Sequence, residues 1–234
     1  MRGLAGMAVT ALAVTALAGS AAAGVFDVPE GCRAELTVQS RSCLVSHYWS
    51  CPQDRGHRWR IDFGSDGARF LSRIDAEAQW IESGAPDAAR RTVTLLPAED
   101  PGSVTELLET GLDSYDFLQR RPDGRVERIV GFDRIAGAAV EIDGEVLLPT
   151  EFNASFRDLD GKVLLDLRGR EYVSARFRRF FGGISQSIDG GRVTELDRTP
   201  VEFIEPGEEG FLSTQPQHDC EVLSGSPLRM GWLG

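Results

Sequence analysis

The chain has 234 residues, 41% hydrophobic and 26% charged, with 25 basic residues against 36 acidic and a net charge of −11. A net negative body repels phosphate backbones and anionic headgroups, so nucleic acid is excluded as an expected partner while apolar ligands stay open. No hydrophobic run reaches the roughly 20 residues a membrane helix needs, so no membrane span is expected.

The first element is a targeting segment. Arg2 gives a positive start, Met7 to Leu17 is almost unbroken Ala, Val, Leu and Met, and Ala21-Ala22-Ala23 offers the small residues a signal peptidase accepts. That order predicts a secretory signal peptide over 1–23, cleaved near Ala23. Cleavage removes one base, Arg2, leaving 24 basic residues against 36 acidic and a net charge of −12. The first cysteine is Cys32, eight residues further on than a lipid-anchoring site would place it. The expected product is a periplasmic or secreted protein over 24–234, forming one β-rich domain with a looser tail from about 205.

Cys32, Cys43, Cys51 and Cys220 make an even count in an oxidising destination, which predicts two disulfides with three possible connectivities. If 43–51 runs as one strand its ends lie roughly 26 Å apart, too far to bridge. A hairpin turning at Arg41-Ser42 would place Cys32 opposite Cys51 and leave Cys43 for Cys220, although Arg-Ser is a poor two-residue turn. Cys43, His47, Cys51 and His57, with His218 near the far end, also offer soft metal ligands. Their spacing matches no structural zinc pattern and lacks a Cys-x2-Cys pair, so disulfides are preferred and no metal is expected.

Strand patterns follow. Trp59, Ile61 and Phe63 alternate with Arg58, Arg60 and Asp62. Phe70, Ser72, Ile74, Ala76, Ala78 and Trp80 line one face of a predicted long strand. Residues 91–96, 114–120 and 125–132 are further strand candidates, and 84–102 is Pro- and Gly-rich. Ser103 with Glu106 forms a capping-box signature, which predicts a helix near 103–111 docked through Leu107, Leu108 and Leu112 and stopped at Gly111. Phe152, Ala154 and Phe156, then Val163, Leu165 and Leu167, then Val173, Ala175 and Phe177 alternate with polar neighbours. Period two predicts one face on a core and one in water. Asp-Gly recurs at 66–67, 123–124, 143–144, 160–161 and 189–190, each a hairpin signal between strand-like runs. The predicted fold is therefore mainly β: an antiparallel meander curled into a barrel or half-barrel so that its edges are hidden, with one short helix.

No nucleophile elbow, nucleotide-binding glycine fingerprint or complete calcium loop is present, so no catalytic or cofactor-binding residue is assigned and no cofactor is expected. Arg176, Phe177, Arg178, Arg179 and Phe181 form a basic, aromatic cluster that would suit the mouth of a ligand pocket, against the plainer alternative of an edge strand with outward Arg and inward Phe. Apolar residues in Pro200–Pro216 could dock across the sheet, with Cys220 pinning them. Curled antiparallel sheets with a covering helix occur among periplasmic carriers of lipids and lipidated proteins, a likeness of fold alone. Three functions are expected in order of preference. The first is a non-enzymatic exported protein holding a hydrophobic small molecule, lipid or lipidated partner in a curved sheet. The second is an envelope interaction module with a packed core, and the third a hydrolase with an unrecognised site.

Overall fold

A computed structural model describes residues 24–220. The expected signal peptide and the last residues of the tail lie outside them. In chain order the strands are β1 (Arg33–Ser40), β2 (Leu44–Ser50), β3 (Arg58–Gly64), β4 (Gly67–Ile74), β5 (Trp80–Gly84), β6 (Arg91–Asp100), β7 (Leu112–Arg120), β8 (Val126–Ile135), β9 (Val140–Ile142), β10 (Glu145–Arg157), β11 (Val163–Ser174), β12 (Arg179–Phe181), β13 (Ile184–Asp189), β14 (Arg192–Asp197) and β15 (Pro200–Ile204). The helix α1 (Val104–Thr110) precedes β7. All strands join one antiparallel sheet in the order β14-β13-β11-β10-β8-β7-β6-β5-β4-β3-β2-β1-β15, with β12 on β11 and β9 on β10. The expected curled meander is present, and the sheet does not close by hydrogen bonds.

Its two ends nevertheless meet. Arg198 and Thr199 alone separate β14, at one edge, from β15, at the other. A link that short forces the edges together at that corner. The Arg41 amide donates to the Thr199 carbonyl and the Ser42 hydroxyl to that of Asp197. At the same end the sheet overlaps itself. Leu147 and Leu148 are neighbours on β10 and so point to opposite faces. Leu147 packs with Phe181 against Leu36, Val38, Tyr48 and Phe203, whereas Leu148 packs with Val173 against Val104, Leu107 and Ala78. The front of β1, β2 and β15 thus lies on the back of β10–β12, and α1 fills the space on the other side.

All five Asp-Gly dipeptides sit at hairpin turns between neighbouring strands. At Asp143-Gly144 both residues adopt left-handed φ, 49° and 79°, as a two-residue hairpin loop requires. At the β13–β14 turn the left-handed pair is instead Gly190-Gly191. The helix stands where its cap places it: Ser103 Oγ accepts from the Glu106 amide at 3.1 Å, and Gly111 ends it with φ 83°. Leu107 is fully buried, but Leu112 begins β7 and is 48% exposed, so it does not dock the helix.

One strand expectation is corrected and one is extended. The long strand over 70–80 breaks after Ile74, because Asp75 Oδ1 accepts from the amides of Glu77 and Gln79 and Ala78 takes a left-handed φ of 64°. A carboxylate that satisfies its own downstream backbone offers the chain a turn in place of a ladder. The strand expected over 91–96 is present as the first part of β6, which runs on to Asp100 through the Pro- and Gly-rich stretch with its register on β7 interrupted between Leu95 and Asp100.

The alternation on β3 has two buried faces. Trp59, Ile61 and Phe63 pack with Trp49 and Leu71 beneath Phe26 and Val28 of the N-terminal segment. Arg60 and Asp62 face the inside of the roll, and the Asp62 side chain is only 2% exposed. The outer cluster is covered by two extended segments that tie to each other and to β1. Phe26 and Val25 pair with Leu212 and Ser213, while Gln39 holds the carbonyl of Gln215 and the amide of Gln217. His47 is stacked on Phe26 in this cluster, and burial pushes its pKa down to about 4.

Candidate functional site

The cysteines form Cys32–Cys51 and Cys43–Cys220. The β1–β2 hairpin that brings the first pair together turns through Arg41, Ser42 and Cys43, with left-handed φ at Ser42 and Cys43 that relieves the awkward two-residue turn. Both bridges withdraw thiolates from metal ligation, and among the described residues no group of three or more His, Cys, Asp or Glu is arranged to hold a metal.

The arginine and phenylalanine cluster lies where the sheet overlaps itself. Arg176 pairs with Glu145 at 3.2 Å and Glu205 at 2.6 Å, Arg178 with Glu77 at 2.8 Å, and Arg179 with Glu35 at 2.7 Å. Arg179 is 2% exposed and lies over the Tyr48 ring, while Phe181 packs edge-on to Tyr48 and Phe203. The structure brings these residues together, but each arginine is already matched to a carboxylate of the same chain. Arg178 also donates to Thr105, so this end is clamped to α1.

A second arrangement occupies the concave face. Asp113 on β7 is directly across from Asp133 on β8, which is across from Phe152 on β10. Phe152 is across from Gly169 on β11, and Glu171, two residues on, shares that face. Asp113 Oδ2 accepts from the Ser103 amide at 3.0 Å, so it closes the N-terminus of α1 in place of the reciprocal Glu106 contact. Its Oδ1 is buried with no partner. Burial pushes the Asp113 pKa up to about 6, against the opposing Ser103 hydrogen bond. Burial also raises Asp133 and Glu171; each then acts on the other or on a neighbour, with Glu171 and Asp113 repelling the Asp133 charge and Arg60 partly offsetting the rise at Glu171. Neither carboxyl makes a hydrogen bond or ion pair within the described chain. Tyr115 lies beside them, its ring over Gly131, where a Cβ would come within 2.6 Å of it. Its phenol pKa is driven far up by burial and then by Asp133, Glu171 and Asp113.

The facing wall is cationic. Arg60 makes a bidentate contact to Asp62 at 2.5 and 2.6 Å, and Ser46 adds a third contact to the same carboxylate. Arg198 approaches the same charges, makes no ion pair among the described residues, and is lowered by burial.

From the acids a stripe of half-buried residues runs along the concave face through Phe152, Leu167, Leu165 and Phe156. It ends at the aromatic contact of Trp80 with Phe117 and Phe156. Phe117 also borders an open groove of about 980 Å³ between the β6 irregularity and the β10–β11 turn; its walls include Leu95, Leu96, Ala98 and Leu159, and Asp116, Leu118, Arg128 and Val130 from the face of β7 and β8 opposite to Phe117. Leu96 and Leu159 are 60% and 69% exposed.

Sequence reasoning did not find the inward acids. The signal was present: Asp113 is in phase with Tyr115 and Phe117, and Glu171 with Leu167 and Val173, so the same alternation that buries the apolar residues buries the charges. Comparison of the chain with protein-family models, with curated proteins and with solved structures finds no match.

Proposed function

We propose that this is an exported, non-enzymatic protein that holds an apolar or lipid-like ligand in the groove beside Phe117 and along the concave stripe behind it. Export is supported by the charge–apolar–small pattern of residues 1–23 and by two disulfides, which persist outside the cytoplasm. The groove carries the ligand assignment: about 980 Å³, within the range of small-molecule sites, its leucines and Phe117 interleaved with the charged Glu99, Asp116, Arg128, Arg157 and Asp158. The solidly filled clusters around Leu36 and Leu107, and the cluster of Tyr115, Phe117, Ile129 and Ala154 against which Phe156 and Leu167 of the stripe pack, favour the second reading, an envelope interaction module. The perturbed carboxyls suit a general acid and are what a hydrolytic reading would draw on.

Leu96→Asp with Leu159→Asp tests the groove, because both side chains are already exposed and their loss should leave the melting temperature within the small range usual for surface changes. Binding of a fluorescent fatty alcohol should fall by roughly tenfold or more, as two apolar contacts are replaced by charge. Unchanged binding in the double variant would remove the groove from the account.

A further inference from the structure

Resting on that ligand reading, we infer that the inner end of the stripe is a headgroup site for a protonated amine: Asp133 and Glu171 present unengaged carboxyls there, and Thr150, directly across from Glu171, carries a fully buried hydroxyl with no partner.

A buried hydroxyl or carboxyl without a partner costs free energy, and native folds rarely leave one unless something else completes it. Thr150 Oγ1 and Asp113 Oδ1 are two such atoms on one face, and Asp133 is 9% exposed with no partner of its own. Each can accept a hydrogen bond and neither receives one. An ammonium group supplies three donors and one positive charge, which matches two carboxyls and a hydroxyl. The surrounding charges point the same way. Asp113 on β7, Asp133 on β8 and Glu171 on β11 face the site, with the Tyr115 phenol beside them. Across the roll Arg60 is held by Asp62, and near Asp113 stand Glu77, Asp100 and Glu106. Arg198 is the competing feature, since an unpaired guanidinium would instead favour a carboxylate head. Its charge neighbours, however, are Asp62, Arg60 and Arg69 and not the three acids, of which Glu171 alone is acted on by Arg60.

Four residues separate Leu167 from Glu171, about 13 Å of strand, so a single alkyl chain can lie on the stripe with its head at the acids. Burial opposes the charge of both carboxyls and raises their affinity for protons. An incoming ammonium favours the ionised form, so binding should expel protons to solvent near neutral pH.

Calorimetry on the disulfide-intact protein with decylamine, decanol and decanoate tests this. Decylamine should bind roughly tenfold or more tightly than decanol, the gain expected of charge-assisted hydrogen bonds, and its heat should vary between phosphate and Tris as protons are released. Glu171→Gln with Asp133→Asn should bring decylamine down to the decanol affinity while decanol itself is unchanged. Thr150→Val, which leaves every charge in place, should weaken decylamine alone by a smaller factor. Tighter binding of decanoate, or an amine preference that survives the double variant, would overturn the headgroup site. Failure of all three probes, decanol included, would overturn the ligand reading beneath it.

Discussion

Replacing Cys43 and Cys220 together by alanine should destabilise the protein by about 5 kcal/mol at the upper limit set by loop-closure entropy, because the bridge spans 177 residues. Removing Cys32–Cys51, which spans 19, should cost about 3 kcal/mol on the same basis. The order matters more than either number. Cys43–Cys220 also pins the extended segment whose Leu212 amide donates to Thr37 and whose Gln215 and Gln217 hold Gln39. Once released, that segment should uncover the Phe26–His47–Trp49 cluster. Guanidinium titration of the two double-alanine variants, followed by tryptophan fluorescence, measures both effects. An equal or smaller loss for the long-range pair would show that the covering segments hold without their staple.

The second large effect is a stability that falls as pH rises. Asp113, Asp133 and Glu171 have folded-state pKa values raised above the ordinary carboxylate value near 4, chiefly by burial. Their neutral forms are favoured in the fold, so the stability they contribute is complete below pH 4 and is lost as pH climbs through the raised values. His47 opposes this over part of the range. Its pKa is held down to about 4, so its contribution is complete above 6.5 and is lost on acidification through 4. Between pH 4 and 6.5 the two trends offset; between 6.5 and 8.5 the acids act without opposition from His47. Thermal melts should therefore show a lower midpoint at pH 8.5 than at 6.5. Asp133→Asn should remove much of that slope, stabilising the protein at pH 8.5 by on the order of a few kcal/mol and leaving it unchanged at pH 4. A wild-type midpoint that stays flat over this interval would mean that the acids are solvated.

Local chemistry made much of the fold legible before any coordinates. The Asp-Gly turns and the Ser103 cap act within a few residues, so dipeptide and spacing suffice to locate them. The break at Asp75–Gln79 follows the same kind of local rule, but strand-phase residues on both sides masked it. The partners of Leu147 and Leu148 were beyond reach because they depend on how the sheet overlaps itself, a pairing of residues that lie up to 111 positions apart, as Leu36 and Leu147 do. For the same reason Arg60 and Asp62 read as a wet face when a second buried layer lies on the other side of β3. The arginine and phenylalanine cluster was found, but not its matching carboxylates, which come from β1, β10, the turn after β4 and the residue after β15. The acids of the concave face were visible only as a phase, and a phase does not say which face has room.

Native mass spectrometry of the protein purified from its own envelope or medium, without detergent, tests the central claim most directly. The account predicts a polypeptide beginning at Gly24, four masses of hydrogen lighter for two disulfides, and carrying a non-covalent adduct of lipid or alkylamine mass that is lost on collisional activation. An unprocessed chain with reduced thiols, or a processed chain that never carries such an adduct, would contradict it.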